Sequence, residues 1–299
     1  MSRAANATSS GAAHLLTVAA ASLTARGIES SRLDAEVLLA HCLGLSRNAL
    51  IVEVAAGRDR PVPADAARRF QELIARRERR EPVAYLTRHK EFWSLDLEVT
   101  PDVLIPRPET EHVVERVLAL LPPPGGDPVR VIDVGTGSGA IAIAIAHERP
   151  DARVLALDRS AAALSVGGRN AIRYGMQGRV SFILADLLEP VRGPVAAVVS
   201  NPPYIKRSEA DDIMPDVRDF EPEAALFDDE PGEGILARLV AGAARVLAPG
   251  GCLVVEIADA RSAEALALLE DSGLWEETGV APDLAGLKRI LQARRRGQT

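Results

Sequence analysis

At 299 residues, 47% hydrophobic and 26% charged, the chain is long enough for two globular domains and is neither disordered nor fibrous in composition. Its net charge of −7 argues against a protein that coats nucleic acid by charge alone. Cys42 and Cys252 stand far apart with no Cys-x-x-Cys spacing, which suggests neither a disulfide framework nor a zinc site. With no apolar run near the ~18 residues a spanning helix needs, a cytoplasmic protein without membrane association is expected.

Residues 1 to 10 are rich in Ala, Ser and Asn and are expected to fray. From Ala12 onward the pattern is helical: Leu15, Leu16, Val18, Ala19 and Leu23 recur at helical spacing until Gly27. Ser31-Arg-Leu-Asp34 reads as a capping box opening a second helix over 35–43, stopped by Gly44. A third helix runs from Pro63 to Arg80, ended by Pro82, and carries the clusters Arg68-Arg69 and Arg76-Arg77-Arg79-Arg80. These clusters read either as a solvated helix face or as a docking surface for an acidic protein.

Lys90 to Thr100 alternates apolar and polar residues, as a β-hairpin does. Ile105-Pro-Arg-Pro-Glu-Thr-Glu111 is a stiff loop entering a helix that runs to Leu121. From Val129 the chain alternates strands and helices. Strands are predicted over 129–134, 153–157, 180–184, 195–199 and 252–257, and helices over 140–147, 160–174, 233–247 and 263–270. Strands near 275–280 and 287–293 end the sheet as a hairpin. This alternation specifies an α/β fold with a mostly parallel sheet covered on both faces. The expected domains are a helical one over 1–85, a hairpin and linker helix over 86–125, and an α/β domain over 126–299.

Three features of the α/β part carry chemistry. Asp133-Val-Gly135-Thr136-Gly137-Ser138-Gly139 places a glycine-rich turn between a strand and a helix, where backbone approaches a ligand closely. Asp158 ends the next strand, 19 residues after Gly139, where a carboxylate binds the ribose hydroxyls of an adenosine. Asn201-Pro202-Pro203-Tyr204 ends the fourth strand. Each proline removes a backbone donor, and the residues before them are held extended. The outcome is a stiff turn carrying an amide, outward carbonyls and one ring, suited to holding a planar nitrogen-bearing group. The five histidines show no metal-ligand spacing, and no metal is expected.

The Asp133–Gly139 spacing resembles the first motif of class I S-adenosylmethionine methyltransferases, and Asn201–Tyr204 resembles the signature of those acting on nitrogens conjugated to a planar system. The segments Glu81–Thr87, Glu91–Ser94, Leu104–Glu111, Asp133–Ala140 and Val217–Pro222 extend the resemblance to the peptide-chain release factor glutamine methyltransferase (PrmC/HemK) family over residues 12–295. It implies a seven-stranded Rossmann-like sheet with a small N-terminal helical domain that recognises the release factor. It also implies S-adenosylmethionine as cofactor, held by Gly135, Thr136, Gly137, Ser138, Gly139, Asp158, Asp186, Leu187 and Asn201. The substrate implied is the glutamine of the Gly-Gly-Gln motif in class-1 release factors. Asn201, Pro202 and Tyr204 then carry catalysis, with Pro203 completing the acceptor site and a monomer acting without nucleic acid; the Ile105–Glu111 loop is a further candidate wall of that site, and Phe92 reads either as another or as core packing.

Departures from the family pattern are Arg88 and Ala258, where glycine is usual, and Leu187, where some relatives carry an aromatic residue. The same core motifs fit a glutamine methyltransferase of a ribosomal protein or a nucleic-acid amino-methyltransferase. A silent S-adenosylmethionine-binding module and a nicotinamide dehydrogenase fit less of the chain.

Overall fold

The computed structural model describes residues 11–58, 60–228 and 234–297. Residues 1–10, expected to fray, and Glu233, expected to open a helix, lie outside the described residues. The chain forms two compact units: Met1–Arg88 with Pro215–Phe220, and His89–Met214 with Glu221–Thr299. Among the described residues no single helix is long and apolar enough to cross a membrane.

The first unit consists of helices Ala12–Ala25, Ser31–Leu43, Arg47–Ala55, Ala64–Arg77 and Val83–Thr87, joined by the short helix Pro215–Arg218. Leu15, Leu16, Ala19 and Leu23 form one apolar stripe packed with Leu38, Leu39, Phe70 and Ile74. Val18 lies off that stripe and is exposed. The expected capping box does not form. The helix begins at Ser31 with no side-chain cap, and the Ser31 hydroxyl meets Thr24 Oγ1 instead. The Asp34 carboxylate is buried and accepts a hydrogen bond from Arg77 Nε at 2.7 Å. Helix Arg47–Ala55 was not anticipated; its start is fixed by Ser46, whose hydroxyl accepts from the Ala49 N–H.

The arginine clusters do not form one open basic face. Arg77 is buried, its Nη1 2.6 Å from Asp216 Oδ2, while Arg80 donates to the Arg26 and Gly27 carbonyls. Arg69 reaches the Cys42 carbonyl and Arg76 pairs with Glu81. Arg88, in place of a usual glycine, adopts a left-handed φ of 63°, so the turn keeps its shape with a strained residue.

The second unit opens with strands β1 (His89–Phe92) and β2 (Leu95–Glu98), turned by Trp93 and Ser94, both at positive φ. The remaining strands are β3 (Val129–Val134), β4 (Ala152–Asp158), β5 (Val180–Leu184), β6 (Val195–Ser200), β7 (Leu247–Glu256), β8 (Trp275–Pro282) and β9 (Lys288–Arg295). They form the seven-stranded sheet expected, in the order β5-β4-β3-β6-β7-β9-β8, with β9 antiparallel to both β7 and β8. Strand β7 starts earlier than its expected Cys252 because Leu247 pairs with Val195. One core lies among Ile141, Ile143, Ile145 and the hairpin, the other among Leu239, Val240 and Leu269. Strand order reverses between β3 and β6, and Val134 lies opposite both Leu157 and Ser200. Gly135, Asp158 and Asn201 therefore leave the sheet at one level, in the crevice where doubly wound sheets bind ligands.

Within the first unit, Arg77 faces the buried carboxylate of Asp34 and the half-buried one of Asp216. Replacing it with Met strands both charges and should destabilise this unit by roughly 3–5 kcal/mol. Native-state hydrogen exchange of the amides in helices Ser31–Leu43 and Ala64–Arg77 reads this directly; unchanged protection contradicts it.

Candidate functional site

A cleft opens over the carboxyl ends of β3, β4, β5 and β6. Its floor is the turn Gly135–Ser138, in which Gly135 and Gly137 take φ values of 71° and 53°. A Cβ on Gly137 would meet nothing within 4 Å, so the backbone borders open space. Gly139, expected to touch a cofactor, is instead a packing residue that does not line the cleft. At its φ of 81° a Cβ would sit 3.0 Å from Ile143 Cδ1, under the start of helix Ala140–Glu148.

Asp133 holds this turn from below. It is fully buried, and its Oδ2 accepts from Thr136 Oγ1 at 2.6 Å and the Ala142 N–H at 3.2 Å. Its other oxygen has no partner among the described residues, and burial pushes the carboxyl up to about 7. Asn170, also buried, clamps the turn sideways: its Nδ2 donates to the Ser138 and Glu98 carbonyls, both at 2.9 Å.

Asp158 lines the cleft and accepts from the Gly137 and Ser160 N–H groups, both at 2.9 Å. Burial raises its pKa, and those two bonds oppose the rise. Each carboxylate oxygen keeps a further lone pair for a ligand hydroxyl. Asp186 and Leu187 line the next part of the cleft; Asp186 is paired with Arg238 at 2.6 Å, and Leu187 is held at φ 46°. A positive φ at a branched residue is strain, here stored beside the ligand site.

Asn201, Pro202 and Pro203 line the far end. Ser200 Oγ donates to the Val134 carbonyl at 2.7 Å, tying this turn to the root of the glycine turn. Asn201 Nδ2 donates to Thr110 Oγ1 at 3.0 Å, and Thr110 Oγ1 donates to Glu256 Oε2 at 2.6 Å. Tyr204 does not line the cleft. Burial and the Glu256 charge push its hydroxyl up to about 12, and it points 3.5 Å from Glu256 Oε1. Phe92 is corrected as well: at 1% exposure it belongs to the core with Leu95, Leu97 and Val113 and walls no acceptor site.

The opposing wall comes from Pro106, Arg107, Thr110, Pro222 and Ala225. Glu221 joins its two halves, accepting from the Ile105 N–H at 3.1 Å and from Arg107 Nη2. The Ile105–Glu111 loop was a candidate wall in the sequence. The anchoring roles of Glu221, Asn170 and Glu256 had no local signal, because their partners lie 32 to 146 positions away. Ala258 carries a φ of −71°, so no glycine is required there.

The residues present fit S-adenosylmethionine. Asp158 is placed for ribose hydroxyls, Leu187 and Ala185 supply an apolar wall for adenine, and the open Gly135–Gly137 backbone leaves room for the methionine portion.

Residues 14–87 match the family model described as the PrmC N-terminal domain, and residues 117–217 that of the methyltransferase small domain. A release factor glutamine methyltransferase of Burkholderia pseudomallei is 45% identical over 272 residues, covering 88% of this chain and 91% of the relative. One from Moorella thermoacetica is 43% identical over 275 residues, covering 92% and 95%. One from Nitratidesulfovibrio vulgaris is 41% identical over 276 residues, covering 91% of each.

Two outcomes test this geometry. Asp158→Ala should weaken S-adenosylmethionine binding by about 1.5–3 kcal/mol, roughly ten- to hundredfold in Kd, by calorimetry. Unchanged affinity would reduce Asp158 to a cap for the turns it holds. For Asp133, a folded pKa of about 7 lies above its ordinary ~4, so the folded protein holds a proton that the unfolded chain has lost. Its contribution to stability therefore falls as pH rises from ~4 to about 7 and is level above that. The ligand-free Asp133→Asn protein should gain stability relative to the parent across that window, read by urea denaturation; a constant or declining difference contradicts it.

Proposed function

We infer what the chain does from two facts: it belongs to the release factor glutamine methyltransferase family, and its Asn201 turn sits in the cleft beside the glycine turn. It transfers a methyl group from S-adenosylmethionine to the side-chain amide nitrogen (N5) of a release-factor glutamine, that of the Gly-Gly-Gln motif in class-1 factors. The observation that carries this reading is the orientation of Asn201, whose Nδ2 is spent on Thr110, leaving Oδ1 to accept from an incoming amide. A match over nine-tenths of the chain to enzymes of one name favours neither a ribosomal protein nor a nucleic acid as acceptor.

S-adenosylmethionine supplies an electrophilic methyl group on a sulfonium centre. The protein has to present a poor nucleophile to it, because the lone pair of a carboxamide nitrogen is delocalised into its carbonyl. In this reading Asn201 Oδ1 and the Pro202 carbonyl each accept one N–H of the substrate amide. Two acceptors on one NH₂ group fix its plane and raise electron density at nitrogen. The two prolines keep both acceptors from moving, since their φ angles are locked. Positioning of this kind lowers a barrier by roughly 7–11 kcal/mol. The methylated amide nitrogen is strongly acidic until it loses a proton, so no strong base is required in the cleft.

Tyr204 stands behind this turn, its hydroxyl toward Glu256, and supports the turn without facing the cleft. The helical first unit is assigned to recognition of the release factor, supported by its match to the PrmC N-terminal domain. The reduced, buried Cys42 and Cys252 suit the cytoplasm, and the net charge of −7 suits a protein partner over direct contact with nucleic acid.

Incubating the protein with a class-1 release factor and S-adenosylmethionine, followed by tandem mass spectrometry, should add one methylene mass to the Gly-Gly-Gln glutamine. A factor recovered unmodified would refute the acceptor assignment. Asn201→Ala should lower turnover on the order of a hundredfold while S-adenosylmethionine affinity stays within about twofold. Equal loss of both would remove Asn201 from the acceptor clamp.

A further inference from the structure

We propose that the buried Glu256 carboxylate, acting through the Thr110 hydroxyl, holds the Asn201 amide in the one orientation that turns its oxygen to the substrate. This deepens the reading above and rests on it. Glu256 and Thr110 are positioning residues; neither touches the reacting atoms.

The argument is one of hydrogen counting. The two ends of an asparagine amide have nearly the same shape, so sterics alone do not choose between them. A threonine hydroxyl owns a single hydrogen. Thr110 is 5% exposed and Glu256 2% exposed, so water does not share these groups. The Thr110 hydrogen goes to Glu256 Oε2 at 2.6 Å, a charge-assisted bond that outcompetes a neutral amide oxygen. With its hydrogen committed, Thr110 Oγ1 can only accept. The group facing it at 3.0 Å must then be Nδ2 of Asn201. The reversed amide would bring two lone-pair oxygens together with no hydrogen between them. Oδ1 is thereby left for the cleft that Asn201 lines.

The polarity of this line depends on Glu256 being an acceptor at both oxygens. Oε1 is faced by the Tyr204 hydroxyl at 3.5 Å. Burial, the largest influence, raises the Glu256 pKa and Glu109 beside Thr110 adds to the rise, while the bond from Thr110, Arg289 from β9 and the Tyr204 hydroxyl act to keep the carboxylate charged. Asn201, through Thr110, and Tyr204 directly thus converge on one carboxylate, which sits 52 positions beyond Tyr204 along the chain.

Three variants test the line. Thr110→Val keeps the shape and removes the hydroxyl; Glu256→Gln keeps the shape and makes the partner able to donate; Thr110→Ser restores the hydroxyl. With release factor as substrate, Thr110→Val and Glu256→Gln should each lower kcat about tenfold or more, with KM and S-adenosylmethionine Kd within about twofold of the parent. Thr110→Ser should return kcat, and the double variant Thr110→Val/Glu256→Gln should be no slower than the slower single, since both cut one line. A second readout does not need the acceptor: nitrogen NMR on asparagine-labelled full-length protein, with Asn201→Ala assigning the resonance. One Asn201 side-chain proton should be protected from exchange in the parent and in Thr110→Ser, and lose protection in Thr110→Val and Glu256→Gln. Parental kcat or retained protection in Thr110→Val overturns the proposal. An inactive parent enzyme with the predicted protection pattern would instead refute the substrate reading and leave the positioning line standing.

Discussion

The parallel register between β3 and β6 is the constraint on which the rest of this site depends. Val134 lies opposite Ser200, and the Ser200 hydroxyl closes on the Val134 carbonyl at 2.7 Å. One residue later on each strand, Gly135 and Asn201 leave the sheet side by side. The glycine turn and the Asn201 turn, whose roots are 66 positions apart in sequence, are thereby set on one edge with no loop to adjust their spacing. A slip of one residue would exchange Ala197 and Val199, packed in one core, with Val198, packed in the other, so the fit of these side chains on both faces holds the register.

Around that edge the protein uses buried carboxylates as struts. Asp133 braces the glycine turn, Glu221 joins the two segments of the acceptor wall, and Glu256 anchors Thr110 and Tyr204. Burying such groups is costly unless their lone pairs are satisfied, and each is satisfied by donors from residues that must not move. Asp133 is the partial exception, with one orphaned oxygen and a carboxyl pushed up to about 7. Rigidity here is functional. An amide nucleophile gains little from a strong base but much from being held still.

The sheet was legible in the sequence because its strands are apolar runs punctuated by Gly, Pro and Asp, and the acids fall where the strands end. The helical unit was legible where one stripe repeats, as at Leu15 to Leu23. It was misread where tertiary pairing overrode a local signal. Asp34 looks like a capping residue until Arg77, 43 positions away, draws it inward. Helix Arg47–Ala55 hid behind its β-branched Ile51, Val52 and Val54. Gly139 belonged to the right motif, but its absent side chain makes room for Ile143 and not for a ligand. Phe92 stood in a resembling segment and proved to be core. The line from Asn201 through Thr110 to Glu256 spans 91 and 146 positions, and no periodicity or spacing encodes such a contact.

The central claim is that the Asn201 turn clamps a glutamine amide and aims its nitrogen along the glycine turn. A crystal structure of the protein with S-adenosylhomocysteine and a Gly-Gly-Gln peptide tests it most directly. The account predicts the glutamine side-chain nitrogen within hydrogen-bond distance of both Asn201 Oδ1 and the Pro202 carbonyl, with Asn201 Nδ2 still on Thr110. A glutamine seated away from this turn, or an Asn201 amide reversed toward Thr110, would contradict it.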